Sequence, residues 1–306
     1  MTTLLPDRVS AAPTTPHGER MLVAMRDPVT DRAAVDWAAR RAVSLGVQLT
    51  ILHAVADPSL LRPGTAYGDK VIAGRDLVSD EAGRVEHCHP GLRVATYVHC
   101  GGIVEALLGM SASADMIIVG ADRKDPGTGV FAGSVALLVG LNSGAPVVVV
   151  PPRFLHPSLA EDRGGVVAGV DGSQASYEAL MRAAEEADAA GTSLTVVTAM
   201  GPSFEPMTVS ASAMLVEVRR RHPSLPVRWV VDDLHSPLQA LTLQGAGADL
   251  LIIGRHGAGA RSISSLGSVT HSLLLEPPCP TLVFTHRVPP PLEGRAMSGP
   301  ARTSAH

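Results

Sequence analysis

The sequence predicts an α/β protein built as two tandem five-stranded parallel-sheet sandwiches. The first observation is an internal repeat: ADMIIVGADR at 114–123 recurs as ADLLIIGRHG at 248–257, and GSVALLV at 133–139 recurs as GSVTHSL at 267–273. Both pairs share an offset of 134 residues. The second observation is that runs of Val, Ile and Leu alternate with segments of helical periodicity in each copy. This alternation is typical of a parallel sheet covered on both faces.

In the second copy each element has its own signal. Ser173 is the predicted N-cap of the first helix and Gly191 its predicted end. Later helices are expected at 209–222, at 236–247 and from Gly267. Apolar runs that suit buried strands lie at 165–171, 193–200, 226–232, 249–254 and 279–285.

The first copy follows the same order of elements. MLVAMRD from Met21 corresponds to VVAGVDG from Val166 with a larger offset of 145 residues. The first copy therefore carries about eleven extra residues, which we assign to the Pro- and Gly-containing stretch ADPSLLRPGTAYGDK. Its strands are expected near 21–26, 48–55, 92–98, 115–120 and 146–150.

The repeat and the composition of the intervening segments predict the domain organisation. Two domains are expected at 20–152 and 164–287, joined by the polar, Pro-marked linker 153–163. Residues 1–19 and 288–306 are expected to be disordered extensions.

Composition narrows the function classes. The 306 residues are 45% hydrophobic and 18% charged, with a net charge of -4 that is dispersed along the chain. We do not expect nucleic acid as a partner, because the chain has no concentration of positive charge to attract a phosphate backbone and few aromatic side chains for base stacking. The N-terminus lacks a signal-peptide pattern, and no apolar run approaches 18 residues. We therefore expect a cytoplasmic protein without a membrane partner.

A cluster of His and Cys in EHCHPGLRVATYVHC raises the question of a metal site. His87, Cys88 and His89 stand before the segment LRVATYV, and His99 and Cys100 follow it. That segment is predicted to be a strand, and seven residues at about 3.3 Å each would hold the two groups some 20 Å apart. No metal site is predicted, and the three cysteines, which include Cys279, are interpreted as buried, reduced thiols.

The glycine-rich run IIGRHGAGARSISSLGSVTHSLL begins as a strand and ends as an amphipathic helix. In an open doubly wound sheet, ligands bind beyond the carboxyl ends of the strands where the strand order reverses. Asp171 and Gly254 would face that crevice if strands 1 and 4 are neighbours there. Gly257 and Gly267 would present backbone amides to phosphates, and Ser268 would add a hydroxyl at the start of a helix. This arrangement suits a nucleotide.

At this point the residues resemble a known family. GRHG, then nine residues, then GS, is the pattern Gly-x2-Gly-x9-Gly-Ser, which resembles the ATP-binding signature of the universal stress protein family. VVAGVDGSQAS resembles that family's first strand with its adenine-contacting Asp, and PPCPTLVF resembles its last strand. The resemblance covers both copies.

The resemblance implies a strand order of 3-2-1-4-5 and dimerisation, often through the fifth strand. A tandem chain can satisfy this contact internally as a pseudo-dimer, or form a homodimer. The implied cofactor is ATP, with or without Mg²⁺. The implied binding residues are Asp171, Ala199, Ile253, Gly254, Gly257, Gly267, Ser268 and Val269.

The first copy departs from the signature at two positions. Arg26 stands where the second copy has Asp171, and Asp27 follows on what should be the other face of the strand. Arg123 stands where the second copy has Gly257. A side chain there would penalise a positive φ and intrude where phosphates need bare amides. We expect the first copy to bind ATP weakly or not at all; the alternative is that Arg123 forms a different anion site. The remaining spacing is kept at Gly120, Gly133 and Ser134.

Other interpretations of the same residues remain open. The glycine run could be a surface connection without a ligand, and Asp171 could merely cap the helix that begins near Ser173. The motifs of P-loop, dinucleotide-binding and Ser-hydrolase enzymes are absent from the sequence, so we expect no enzyme. The predicted function is an ATP-binding regulatory module with an unidentified protein partner. The alternatives are a non-nucleotide interaction module and a slow ATP-hydrolysing or adenylyl-transferring enzyme.

Overall fold

The computed structural model describes the main body of both copies. Its described residues are 20–57, 66–121, 134–152, 154, 164–199, 205–257 and 266–284, with only the backbone given for 205–209. The predicted extensions 1–19 and 288–306, and nearly all of the predicted linker 153–163, lie outside these residues. The two domain limits therefore stay predictions.

The first half, up to residue 152, alternates strands and helices as predicted. Its described elements are β1 (Arg20–Ala24), α1 (Pro28–Leu45), β2 (Gln48–Val55), α2 (Tyr67–Cys88), β3 (Val94–Cys100), α3 (Ile103–Ser111), β4 (Met116–Gly120), α4 (Val135–Asn142) and β5 (Val147–Val150). His87 and Cys88 end α2, whereas His99 and Cys100 end β3. The expectation that all three cysteines are buried is wrong, because Cys88 and Cys100 are exposed and only Cys279 of the three is buried. Within the described residues, no three His, Cys, Asp or Glu side chains come together as a metal site.

The second half, from residue 164, repeats this order. Its described elements are β6 (Val166–Gly169), α5 (Gln174–Ala189), β7 (Leu194–Ala199), α6 (Glu205–Arg221), β8 (Val227–Asp232), α7 (Pro237–Gly245), β9 (Leu250–Gly254), α8 (Ser268–Leu275) and β10 (Thr281–Phe284). The helices of the described segments are all too short or too polar to cross a membrane.

The ten described strands form one sheet, in the order β3-β2-β1-β4-β5-β10-β9-β6-β7-β8. Within each half the strands are parallel, and the strand order of 3-2-1-4-5 is confirmed. The second half has the same order and the same parallel pairing. The halves join through β5 and β10, which run antiparallel with Val148 opposite Leu282. The two predicted sandwiches therefore share a single sheet.

Each face of the sheet carries one apolar core that runs through both halves. Strand side chains alternate between the two faces, so Val23 and Ala168 belong to one core while Leu22 and Val167 belong to the other. Helices α1, α2, α5 and α6 cover the first core, and α3, α4, α7 and α8 cover the second. Because the cores are continuous across β5 and β10, packing holds the two halves together.

The first strand of each half is shorter than predicted. The two strands were expected to reach Arg26 and Asp171, but β1 ends at Ala24 and β6 ends at Gly169. The chain leaves the sheet to enter the following helix, and in the second half Gly172 makes this turn with a φ of 80°. The two polar positions therefore lie just beyond the strands, at the carboxyl edge of the sheet.

Candidate functional site

A cavity of about 450 Å³ opens at the carboxyl end of the second half's sheet. It lies between β6 and β9, where the strand order reverses, as expected for an open doubly wound sheet. All eight residues predicted from the sequence line it: Asp171, Ala199, Ile253, Gly254, Gly257, Gly267, Ser268 and Val269. Ser176 and Thr270 also line it and were not predicted. The structure thus brings the predicted residues to one place, and their binding of a nucleotide stays a prediction.

The carboxylate of Asp171 is held by the start of helix α5. Its Oδ1 accepts hydrogen bonds from the Ser173 amide at 3.1 Å and the Ser173 hydroxyl at 2.6 Å. Ser173 is the N-cap of α5 and accepts from the Ser176 amide through its own hydroxyl. Asp171 therefore does not cap the helix itself but fixes the residue that does. One of its oxygens has this structural role.

The other oxygen of Asp171 explains why position 257 is a glycine. A Cβ built at Gly257 would overlap Asp171 Oδ2. The backbone of Gly257 does not have a positive φ, so the conformational reason expected from the sequence is wrong. A side chain at 257 would displace the Asp171 carboxylate, so the glycine keeps the carboxylate where it is.

Gly254 is required by packing alone. A Cβ at this position would lie 3.0 Å from the backbone carbonyl atoms of Ala175, in the first turn of α5. A neighbour made of backbone cannot move aside as a flexible side chain can. Gly254 therefore lets helix α5 sit directly on the end of β9, whether or not a ligand is bound.

Helix α8 begins at the cavity with an open N-terminus. Gly267 is its N-cap, and no side chain of the described residues caps this turn. The Gly267 amide itself donates to the Arg255 carbonyl at 3.1 Å, so the expectation that it faces a phosphate is wrong. The first-turn amides of Ser268 and Val269 are the ones placed at the cavity. Thr270 Oγ1 donates to the Gly254 carbonyl at 2.9 Å and ties α8 to β9.

The first half has a cavity of about 350 Å³ in the equivalent place. Arg26 lines it at the position of Asp171, and its side chain is exposed. Asp27 does not replace the missing carboxylate, because it is the N-cap of α1. It accepts from the amides of Val29 and Thr30 at 3.0 and 2.8 Å, and from the Thr30 hydroxyl at 2.7 Å. The Thr30 hydroxyl bond is the largest cause that lowers the pKa of Asp27.

Sequence reasoning missed a buried carboxylate in this first cavity. Asp31 stands where the second half has Ser176, at the repeat offset of 145 residues, and it is only 6% exposed. Its Oδ2 accepts from the amides of Arg26 and Asp27 at 2.6 and 3.3 Å. Its Oδ1 faces Gly120, 2.8 Å from where a Cβ would lie. Burial raises the pKa of Asp31. The signal for it was present in the repeat, as an acid opposite a serine.

Helix α4, which begins at the first cavity, has a side-chain cap at its N-terminus. Ser134 is the N-cap of α4, and its hydroxyl accepts from the Leu137 amide at 3.1 Å. Arg123 and Gly133, the other positions of the first copy's signature, lie outside the described residues. The two halves therefore differ both in the polar groups of their cavities and in the helix start that faces them.

A family model described as "Universal stress protein family" matches residues 18–151 and 230–285 of the chain. The chain belongs to the universal stress protein family. The resemblance inferred from the glycine signature is thus confirmed at the level of the family. The matched segments leave out Asp171 and the first strand of the second half, so the match does not bear on that side of the cavity.

Proteins of the same family align over most of the chain. A universal stress protein of Mycolicibacterium smegmatis is 27% identical over 290 residues, covering 87% of this chain and 97% of that protein. A universal stress protein of Mycobacterium tuberculosis is 28% identical over 277 residues, covering 81% and 90%. The crystal structure of a universal stress protein from Archaeoglobus fulgidus superimposes with a TM-score of 0.68 at 19% identity, covering 86% of this chain and 97% of that one. The tandem fold is therefore shared.

Proposed function

We propose that the cavity of the second half binds ATP and that the protein acts as a nucleotide-linked regulatory module. The observation that supports this most is that all eight signature positions line one cavity at a helix N-terminus. Local sequence spacing does not by itself bring Asp171 and Gly267, which are far apart in the chain, to the same opening.

Each part of the cavity matches a part of the nucleotide. Asp171, oriented by Ser173, would accept a hydrogen bond from the adenine amino group. Ala199 and Ile253 offer apolar contact to the base and the ribose. The open first turn of α8, at Ser268, would hold phosphate oxygens, because free amides and the helix dipole favour an anion there. Any Mg²⁺ would come with the phosphates.

Binding without rapid hydrolysis fits the polar groups present. Asp171 is the one carboxylate among the described residues that line the cavity, and Ser173 already holds one of its oxygens. A second acidic group that could activate a water is not among them. The regulatory output would come from linkage: ATP stabilises the folded second half, and a partner protein recognises the bound state.

Thermal unfolding of the full chain with ATP or GTP tests this proposal. At a hundredfold excess over its dissociation constant, ATP should stabilise the binding state by about 2.7 kcal/mol. This corresponds to a rise in Tm of about 4 °C for a chain of 306 residues that unfolds as one unit. GTP should give a smaller rise, because guanine has a carbonyl oxygen where adenine has the amino group that would donate to Asp171.

Two variants identify the half responsible. Gly267→Val should abolish the ATP-induced rise in Tm, because the valine side chain would occupy the cavity at the N-terminus of α8. Arg26→Ala should leave this rise intact. The proposal would be refuted if ATP left the Tm of the unsubstituted chain unchanged, or if both variants lost the ATP-induced rise in Tm equally. Phosphate release by the purified protein, measured at saturating ATP, should stay at background.

A further inference from the structure

The two halves meet about an axis on which equivalent residues of the repeat contact each other. In the central strand pair, Val148 lies opposite Leu282, and these positions are related by the repeat offset of 134 residues. On one side of this pair Val147 lies opposite Val283, and on the other side the equivalent residues Thr281 and Val149 lie opposite each other. This is the pattern of a two-fold axis, at which each residue meets its own counterpart.

On one face of the sheet the counterparts at the axis carry opposite charges. Arg41 of α1 forms an ion pair with Glu186 of α5, at the repeat offset of 145 residues. Glu186 also pairs with Arg182 at 2.6 Å. The side chain of Glu186 is 3% exposed and that of Arg41 is 16% exposed. Burial, with a contribution from nearby Arg182, lowers the pKa of Arg41 to about 10.

On the other face the counterparts differ in size. Gly140 of α4 meets Leu274 of α8, again at the offset of 134 residues. A Cβ built at Gly140 would lie 2.9 Å from Leu274 Cδ1, and Leu274 is fully buried. The leucine therefore fills a notch that only glycine leaves open.

We infer that this seam is a recognition surface that fits the opposite half of the chain and rejects a second copy of the same half. Two first halves would bury Arg41 against its own copy and leave a void at Gly140. Two second halves would bury two Glu186 carboxylates together, each without Arg41 and with only the Arg182 of its own helix, and would force two Leu274 side chains into one space. Like charges without water and overlapping side chains both oppose such pairing. The seam thus makes the pairing of unlike halves specific, independently of what the cavities bind.

Charge reversal in the full chain tests this inference. Arg41→Glu and Glu186→Arg each place like charges at the axis and should each lower Tm by about 5 to 10 °C, with the larger loss in Glu186→Arg because it also puts a cation beside Arg182. The double variant R41E/E186R restores opposite charges and should recover at least half of the summed loss. A double variant that loses the sum of the single effects would overturn the inference. Arg220→Glu, at an ion pair with Glu217 on the exposed side of α6, is the control and should shift Tm little.

A mixing experiment tests partner choice directly. Each single variant has like charges at the seam within its own chain. In a mixture, the substituted first half of Arg41→Glu can pair with the substituted second half of Glu186→Arg. The two unsubstituted halves can then pair with each other. Both seams of such a dimer carry opposite charges. Unfolding and refolding the two variants in one solution should therefore give a dimer with exchanged halves, detected by native mass spectrometry with one variant tagged. Each variant refolded alone should give no such dimer. Monomers only, in the mixture as in the separate samples, would show that the seam does not choose its partner.

Size exchange gives a second test that does not depend on charge. Gly140→Leu should destabilise the chain by overlap, and Leu274→Gly by a cavity. The exchanged variant G140L/L274G should be more stable than the sum of the single effects predicts. Strict additivity of the two changes would contradict the inference.

Discussion

The two cavities of the molecule share many equivalent lining positions and differ in their polar groups. Both lie at the carboxyl edge of the sheet, and both are lined by equivalent small and apolar residues. The second has a carboxylate, Asp171, near its mouth and a neutral Ser176 at its base. The first has a cation, Arg26, at the mouth and a buried acid, Asp31, at the base. The repeat has kept the place of the crevice and many of its lining positions, and it has changed the chemistry that a ligand would meet.

The two sequence differences between the cavities are linked by one steric contact. Asp171 against Arg26 and Gly257 against Arg123 are far apart in the chain and look independent. In the second half the carboxylate of Asp171 fills the space where a side chain at 257 would begin. A side chain at the second position would therefore displace the acid at the first. Where Arg26 replaces the acid in the first half, this steric reason for a glycine does not apply.

The largest expected effect comes from breaking this pair. Gly257→Ala should weaken ATP binding about a hundredfold, or about 2.7 kcal/mol, because its Cβ displaces the Asp171 carboxylate. In an Asp171→Ala background the same change should cost little more. Isothermal titration calorimetry of the four proteins gives the coupling. Equal losses from Gly257→Ala in both backgrounds would show that the two positions act separately.

The next effect compares the glycines that end the two equivalent strands. Gly254→Ala should destabilise the protein by about 2 kcal/mol, because its Cβ meets the backbone of Ala175. Gly120→Ala should cost about 1 kcal/mol or less, since its Cβ meets the end of the Asp31 side chain. Urea unfolding measures both. A larger loss from Gly120→Ala would contradict the packing argument.

A smaller effect concerns the two helix starts. Ser134→Ala removes the cap of α4 and should cost about 1 kcal/mol of stability without changing ATP affinity. Gly267→Ser offers α8 a side-chain cap, which would compete with phosphate for the first-turn amides and weaken ATP binding about tenfold. Calorimetric titration of both variants separates the two roles. Loss of affinity in Ser134→Ala would place the nucleotide in the first half instead.

The smallest effect depends on pH. Because burial raises the folded-state pKa of Asp31, its ionisation opposes folding, and this cost appears as pH rises above the unfolded value of 3.8. Asp31→Asn should therefore stabilise the protein by about 1 kcal/mol at pH 7 and by nothing at pH 3. Asp27→Asn is the opposite control. The pKa of Asp27 is lowered, so its charge stabilises the fold above 3.8, and its removal should cost stability at pH 7. Urea unfolding at several pH values measures both.

Much of this site could be predicted because its signals are local. The repeat, the strand and helix periods and the glycine spacing all lie within short stretches, and together with the family resemblance they predicted the strand order and the eight lining residues. Asp31 was missed because one acid near the start of a helix is ordinary in sequence. Its importance depends on two amides and a glycine brought to it by two other elements.

The sequence by itself determined the two-copy α/β architecture, the family and which half keeps the complete signature, because periodicity and repetition need no knowledge of distance. The family resemblance implied a contact through the fifth strands, and only the tertiary structure decided that β5 and β10 make it within one chain and that Arg41 meets Glu186. The tertiary structure also showed that the absence of a side chain at Gly257 matters because of the adjacent Asp171 carboxylate and not because of a positive φ. These facts are contacts between residues far apart in the chain, and such contacts are fixed by how the elements pack.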